Sequence, residues 1–303
     1  MVAAENICKK YGSVSALSNI SFEARAGEIF GIIGPDGAGK TTLFRILTTL
    51  LLADSGSASV DGCDVIEDYQ QIRQKIGYMP GKFSLYEDLT IEENLEFFAT
   101  IFNTTIDENY HLIEDIYKQI EPFKKRRAGK LSGGMKQKLA LCCALIHKPV
   151  VLFLDEPTTG VDPVSRKEFW EMLRKLKEQG ISILVSTPYM DEAALCDRIA
   201  FIRNGQFLDI DTPSNIISKF DHVLWAVESD NMYRLLLDLR SNKQVKSCFA
   251  FGENHHITVD PFLHVAELEK YLSDKGHTHV RVRPIEPTIE DCFMNITEQK
   301  DYE

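Results

Sequence analysis

The sequence predicts an α/β chain in which a covered parallel sheet is followed by a smaller α+β unit. Three observations predict it. Short apolar runs, "EIFGIIG" (28–34), "VVLFLDE" (150–156) and "ISILV" (181–185), alternate with stretches of helical spacing up to about residue 210. A glycine-rich stretch joins the first run directly to a helix. Beyond residue 215 the texture changes to shorter, mixed strands and helices. With 303 residues and 44% hydrophobic content the chain can hold one sizeable core and a smaller one, so we expect domains at 1–215 and 216–303.

In chain order, "EIFGIIG" reads as a buried strand, the glycines as a loop, and "TTLFRILTTL" (41–50) as a helix. "SASVDGCDV" (57–65) turns on Asp61-Gly62. "VVLFLDE" is a second buried strand. Asp162 then supplies an N-cap and Pro163 a first-turn proline, while Phe169, Leu173 and Leu176 form the apolar stripe of a helix closed by Gly180. "ISILV" is the third strand, and "IAFIRNGQFLDI" (199–210) is a hairpin on Asn204-Gly205. Strands separated by helices in this order imply a parallel sheet. From "HVLWAVE" (222–228) to "TIEDCFMNIT" (288–297) the order is β-α-β-β-α-β plus a last helix, which resembles a ferredoxin-like unit. His255 and His256 fall inside it without a second ligand pair at useful spacing, so strand or solvated histidines are expected rather than a metal site.

The net charge of -11 argues against nucleic acid as a partner, because phosphate backbones reward a basic surface. The one compact basic run, "KKRR" (124–127), reads as a solvated loop face. Cysteines at 8, 63, 142, 143, 196, 248 and 292 show neither metal nor disulfide spacing, as expected in a reducing cytosol. No signal peptide opens the sequence and no run approaches the ~18 apolar residues of a membrane span. Any membrane role is therefore expected to come through a partner.

Chemistry is carried by three stretches. "GPDGAGKTT", comprising Gly34, Pro35, Asp36, Gly37, Ala38, Gly39, Lys40, Thr41 and Thr42, matches G-x-x-x-x-G-K-[ST] at a strand-to-helix junction. Its glycines let backbone N–H groups turn toward phosphates, and the helix that follows adds its positive end. Lys40 would hold the β- and γ-phosphates and the Thr41 hydroxyl would ligate Mg²⁺. In "VLFLDEP", Asp155 is expected to end a strand beside the P-loop strand and reach the magnesium, with Glu156 next to it as general base. An N-cap role is the alternative for either acid. In "LSGGMKQKLALCCAL" (131–145), Ser132, Gly133 and Gly134 open a helix and form a second phosphate site. One nucleotide cannot use both this helix end and the P-loop of the same chain, so a second chain is implied.

Together these stretches resemble the ATP-binding subunits of ABC transporters over residues 1 to about 215: Walker A at 34–42, the signature "LSGGMKQ" at 131–137, Walker B at 150–156 and the D-loop "TTGVDP" at 158–163. The resemblance implies two such domains packed head to tail, each signature capping the other chain's ATP. Tyr11 falls where the family stacks an aromatic on adenine, although packing of a β-hairpin explains a lone tyrosine equally well. Two departures stand out. The family places a histidine after the strand that follows Walker B, where this chain reads "STP" with Pro188. It places a glutamine after Y-M-P, where this chain has Gly81, followed by Lys82. The residue after such a strand faces the ligand crevice, because the carboxyl ends of the strands line it.

The resemblance therefore implies a site that holds Mg-ATP and hydrolyses it poorly, in a heterodimer with a second ATPase subunit. It further implies membrane permease subunits docking by a coupling helix near "GKFSLYEDLTIEENLEFF" (81–98), and a place at the cytoplasmic face of the membrane. The ending "EPTIEDCFMNIT" (286–297) resembles that of the drug-export type. A soluble ABC ATPase acting on ribosomes or DNA, and a regulatory subunit without turnover, are the alternatives.

Overall fold

The computed structural model describes residues 1–301, in two compact units, Met1–Pro213 and a second that begins at Ser214. The first unit opens with β1 (Val2–Tyr11) and β2 (Val14–Ala24), an antiparallel hairpin with Tyr11 opposite Val14. β3 (Ile29–Ile33) is buried at every residue, and α1 (Lys40–Leu47) follows after the glycine loop. The helix stops at Leu47, short of the predicted run to residue 50. Thr49 takes a positive φ of 64°, and the amides of Leu50 and Leu51 turn back onto the Arg45 carbonyl. β4 (Ser55–Val60) and β5 (Cys63–Asp64) meet at Asp61 and Gly62, whose φ values of 51° and 76° are the positive pair that a two-residue hairpin needs.

α2 (Tyr69–Lys75) leads into β6 (Ile76–Met79). α3 (Ile91–Ile101) and α4 (Ile106–Ile120) each start in a capping box, Thr90 with Glu93 and Thr105 with Glu108. α5 (Gly133–Leu145) is capped by Ser132 and precedes β7 (Val151–Asp155). α6 (Pro163–Glu178) has the predicted Asp162 cap, whose carboxylate accepts the Ser165 N–H at 3.0 Å. β8 (Ser182–Thr187), the short α7 (Met190–Ala193), β9 (Arg198–Arg203) and β10 (Gln206–Asp211) complete the unit.

The six-stranded sheet runs β10-β9-β3-β8-β7-β6, parallel except for the β9–β10 hairpin. This order corrects one expectation: β8 stands between the P-loop strand β3 and the acidic strand β7. All six residues of β8 are buried, and such a strand needs neighbours on both edges, which β3 and β7 provide. Sequence pattern marks β8 as buried but does not say between which strands. A separate four-stranded sheet, β2-β1-β4-β5, is antiparallel. Phe44 of α1 meets Phe153 of β7 edge-on at 5.8 Å, both fully buried, and so pins the helix behind the loop onto the sheet.

In the second unit α8 (Pro213–Ser218), whose first residue still belongs to the first unit, is followed by β11 (Val223–Glu228), α9 (Met232–Ser241), β12 (Val245–Phe251), β13 (Asn254–Val259), α10 (Val265–Asp274), β14 (Arg281–Pro284) and α11 (Ile289–Asp301). The strand order β12-β13-β11-β14, antiparallel throughout, is that of a ferredoxin-like sheet. Trp225, Leu235, Leu239, Ile257, Leu268 and Leu272 form its own core. His255 and His256 lie on β13, the first bonded to the Met232 carbonyl and the second to Asp291, each at 2.7 Å. Among the described residues no helix is long and apolar enough to cross a membrane.

Phe153→Ala removes the ring that α1 rests on. We expect a loss of about 3–5 kcal/mol, read as a lower urea midpoint for the first unit's unfolding.

Candidate functional site

The loop between β3 and α1 is forced into its curl by sterics. At Gly34 a Cβ would stand 2.1 Å from the Ile202 carbonyl oxygen, and at Gly39, with φ 108°, 2.5 Å from that of Ala16. Only glycine fits at either point. Pro35, Asp36 and Gly37 form the exposed tip, Ala38 is buried, and Thr41 and Thr42 are half-buried in the first turn of α1. That turn has no side-chain cap, so its free N–H groups are available to an anion.

Lys40 is 3% exposed. Its ammonium donates to the carbonyls of Gly34 at 2.8 Å and Pro35 at 3.0 Å, and pairs with Glu156 at 3.1 Å. The structure thus brings the P-loop and the second acid together. Asp155, 2% exposed, accepts the Ser186 hydroxyl at 2.6 Å. Glu156 has a left-handed φ of 51°, and its N–H is held by the carbonyl and hydroxyl of the same serine, at 3.0 and 3.1 Å. Ser186 therefore ties β8 to the acidic end of β7. A signal existed: the apolar run of β8 continues into "ST", and buried hydroxyls in such a strand need partners.

Gly81 lies over the acids. A Cβ there would be 3.1 Å from the Asp155 carbonyl oxygen and 3.8 Å from the Glu156 Cβ. Pro188 directly follows Thr187, whose carbonyl takes the Gly34 N–H at 3.3 Å. Both departures from the family pattern thus sit at the carboxyl edge of the sheet, around the Asp155–Glu156 pair and the P-loop. Tyr11 ends β1, 47% exposed, at a hairpin whose Ala16 carbonyl abuts Gly39.

The signature residues keep different company. Ser132 and Gly133 are exposed at the start of α5, where the Ser132 hydroxyl accepts the Met135 N–H at 3.3 Å. A Cβ on Gly133 would lie 3.4 Å from the Gly160 carbonyl, and one on Gly134 2.8 Å from the Ser165 hydroxyl oxygen. The signature turn rests on the D-loop and on α6.

The protein family described as ABC transporter matches residues 17–159. The linearmycin resistance ATP-binding protein LnrL of Bacillus subtilis (strain 168) is 32% identical over 98% of this chain and 98% of its own. The chain belongs to the ABC transporter family. Within that family, the probable multidrug ABC transporter ATP-binding protein YbhF of Escherichia coli (strain K12) is 40% identical over 71% of this chain, which spans 38% of YbhF's length. The dimeric structure of MJ0796, a bacterial ABC transporter cassette, superposes with a TM-score of 0.64 at 26% identity, covering 70% of this chain and 98% of that one.

An apolar groove of about 430 Å³ opens elsewhere on this ABC unit, lined by Tyr78, Phe83, Leu85, Phe98, Phe102 and His147 among others. His147 stacks on Phe102 at 3.7 Å and its Nε2–H donates to the Ile76 carbonyl at 2.9 Å, while burial lowers its pKa below the ordinary histidine value. Burial, with the Asp155 carboxylate second, pushes the Tyr78 phenol up to about 12. Both groups are therefore neutral at pH 7.

Lys40→Ala deletes the ammonium that donates to the loop carbonyls. A charge-assisted bond is worth about 1.5–3 kcal/mol, so nucleotide affinity should fall roughly tenfold to hundredfold, read by titration calorimetry with Mg-ATP.

Proposed function

We propose that this chain is the ATP-binding subunit of an ABC export complex and that its own nucleotide site holds Mg-ATP while turning it over slowly. In this reading ATP binding resides in residues 1–215, and 216–303 form an accessory domain. The P-loop residues Gly34 to Thr42 cradle the phosphates, Lys40 pairs with them, and Tyr11 stacks on the adenine. Thr41 and Asp155 hold Mg²⁺, and Glu156 is positioned as the base. The buried Asp155 carboxylate and the half-buried Thr41 hydroxyl are oxygen ligands of the kind a hard divalent cation on a triphosphate takes, while the free N–H groups of the first turn of α1 suit the phosphates.

The observation that carries the reading is the place of Gly81. Its backbone stands over Asp155 and Glu156, where a side chain would act on water and metal, and it has none. Pro188 leaves a second gap next to the P-loop strand. Phosphate binding keeps all its groups, whereas each missing preorganised group costs a rate factor of about 10² to 10³. A subunit built this way works with a second ATPase subunit, in a heterodimer whose other chain supplies glutamine and histidine. The dimeric form of the MJ0796 cassette supports a two-chain assembly of this kind.

Membrane permease subunits complete the complex, and the apolar groove takes their coupling helix: Phe83, Leu85 and Phe98 come from the stretch 81–98 that the resemblance assigns to docking. This places the chain peripherally at the cytoplasmic face. The name of LnrL, a linearmycin resistance ATP-binding protein matching both units of this chain, supports export as the direction.

Steady-state phosphate release tests the idle site. The unmodified chain should be slow, and Gly81→Gln with Pro188→His together should raise the rate by about tenfold or more if each restored group recovers part of its ordinary factor. Brisk turnover by the unmodified chain would defeat the reading.

In the reconstituted pair the effects should be lopsided. Gly133→Asp sets a carboxylate against the partner's γ-phosphate and should abolish turnover, whereas Glu156→Gln should leave most of it. Equal losses would indicate two working sites.

A further inference from the structure

Beyond the phosphate loop, the short helix that follows β8 carries a buried carboxylate that the ATP chemistry leaves without a task. Glu192 of α7 is 1% exposed. Its Oε1 accepts the Thr158 hydroxyl at 2.7 Å and the Arg166 Nε–H at 3.1 Å, and its Oε2 accepts the Thr187 hydroxyl at 2.6 Å. Arg166 also reaches Asp191 at 3.2 Å and lies over the Tyr189 ring, 4.3 Å from its centroid. The three donors come from three places: the turn after Glu156, the last residue of β8, and α6. A carboxylate at this depth is stable only when so satisfied, and the bonds fix those three places relative to one another.

Each donor has a second connection. Thr187 accepts the Gly34 N–H of the P-loop through its carbonyl. Thr158 opens the D-loop, where its own carbonyl takes the Val161 N–H at 3.2 Å. The D-loop in turn underlies the signature, with Gly160 facing Gly133 and Ser165 facing Gly134. A continuous line of contacts therefore runs from Gly34 through Thr187, Glu192 and Thr158 to the signature turn. It passes through the Thr187 side chain and not through residue 188, so proline there leaves it whole.

We infer that Glu192 is a positioning residue that relays occupancy of this chain's P-loop to its own signature turn. The inference rests on the reading of Gly34–Thr42 as an ATP site. It gives that slow site a purpose: nucleotide held there would set the shape of the surface offered to the partner's ATP. A line of contacts is only spatial intermediacy until a break in it uncouples its ends.

Hydrogen exchange on the full chain, with and without saturating Mg-ATP, makes that break visible. In the wild type, amides at 158–162 and 132–135 should exchange about fivefold or more slowly with nucleotide bound, the low end of ordinary coupling between sites. Thr158→Val, near-isosteric but without the hydroxyl, should bind Mg-ATP in calorimetry and lose the slowing at both segments while β3 and β8 stay protected. Thr158→Ser, which keeps the hydroxyl, should restore it, and Glu192→Gln should behave as the valine variant. Slowing in Thr158→Val equal to the wild type overturns the relay. So does a wild type that binds Mg-ATP without slowing at these segments. A wild type that binds no Mg-ATP overturns the ATP-site reading and the relay with it.

Discussion

A buried ammonium is the constraint around which the ATP-binding unit is arranged. Lys40 is shielded from water, and an uncompensated charge at that depth costs several kcal/mol, so oxygen atoms must surround it. Two come from the loop's own carbonyls, which reach back only because Gly34 admits the backbone beneath Ile202. The third partner is Glu156, and it gets there by leaving the strand in a left-handed conformation that Ser186 holds with two bonds. β8 carries that serine, and its pairing with β7, Ser186 opposite Asp155, lets it serve both acids. Helix position, strand order and one strained residue thus answer to a single charge.

Binding and turnover draw on separate groups in such a site. The contacts that suit a triphosphate come from the P-loop and the start of α1, and they belong to one local stretch. The groups that would steer water come from the ends of β6 and β8, and in this chain those ends carry Gly81 and Pro188. In the proposed reading those ends lie outside the loop, so slow turnover and retained phosphate binding are compatible in one site.

Local motifs were legible in the sequence because local sterics dictate them. The P-loop, the Asp162 cap, the helix start at Ser132, the turns at Asp61-Gly62 and Asn204-Gly205, and the β-α-β-β-α-β order of the second unit all show in spacing or residue type. Strand order did not show, because the apolar run that marks β8 is the same whichever strands flank it. Nor did the partners of Glu192: its neighbours Thr158, Arg166 and Thr187 lie on elements that only the folded sheet brings side by side. The short stop of α1 at Leu47 depends on Thr49 taking a conformation that its residue type does not announce.

The closeness of Gly81 to β7 limits what can replace it. Without a side chain the segment rests so near the sheet that even a methyl at that position would stand 3.1 Å from the Asp155 carbonyl, and β7, buried between two strands, is the less able of the two to yield. Any larger residue placed there must first lift the segment by a few tenths of an ångström. Packing against β7 therefore resists enlargement of this residue, whatever chemistry a larger side chain would supply.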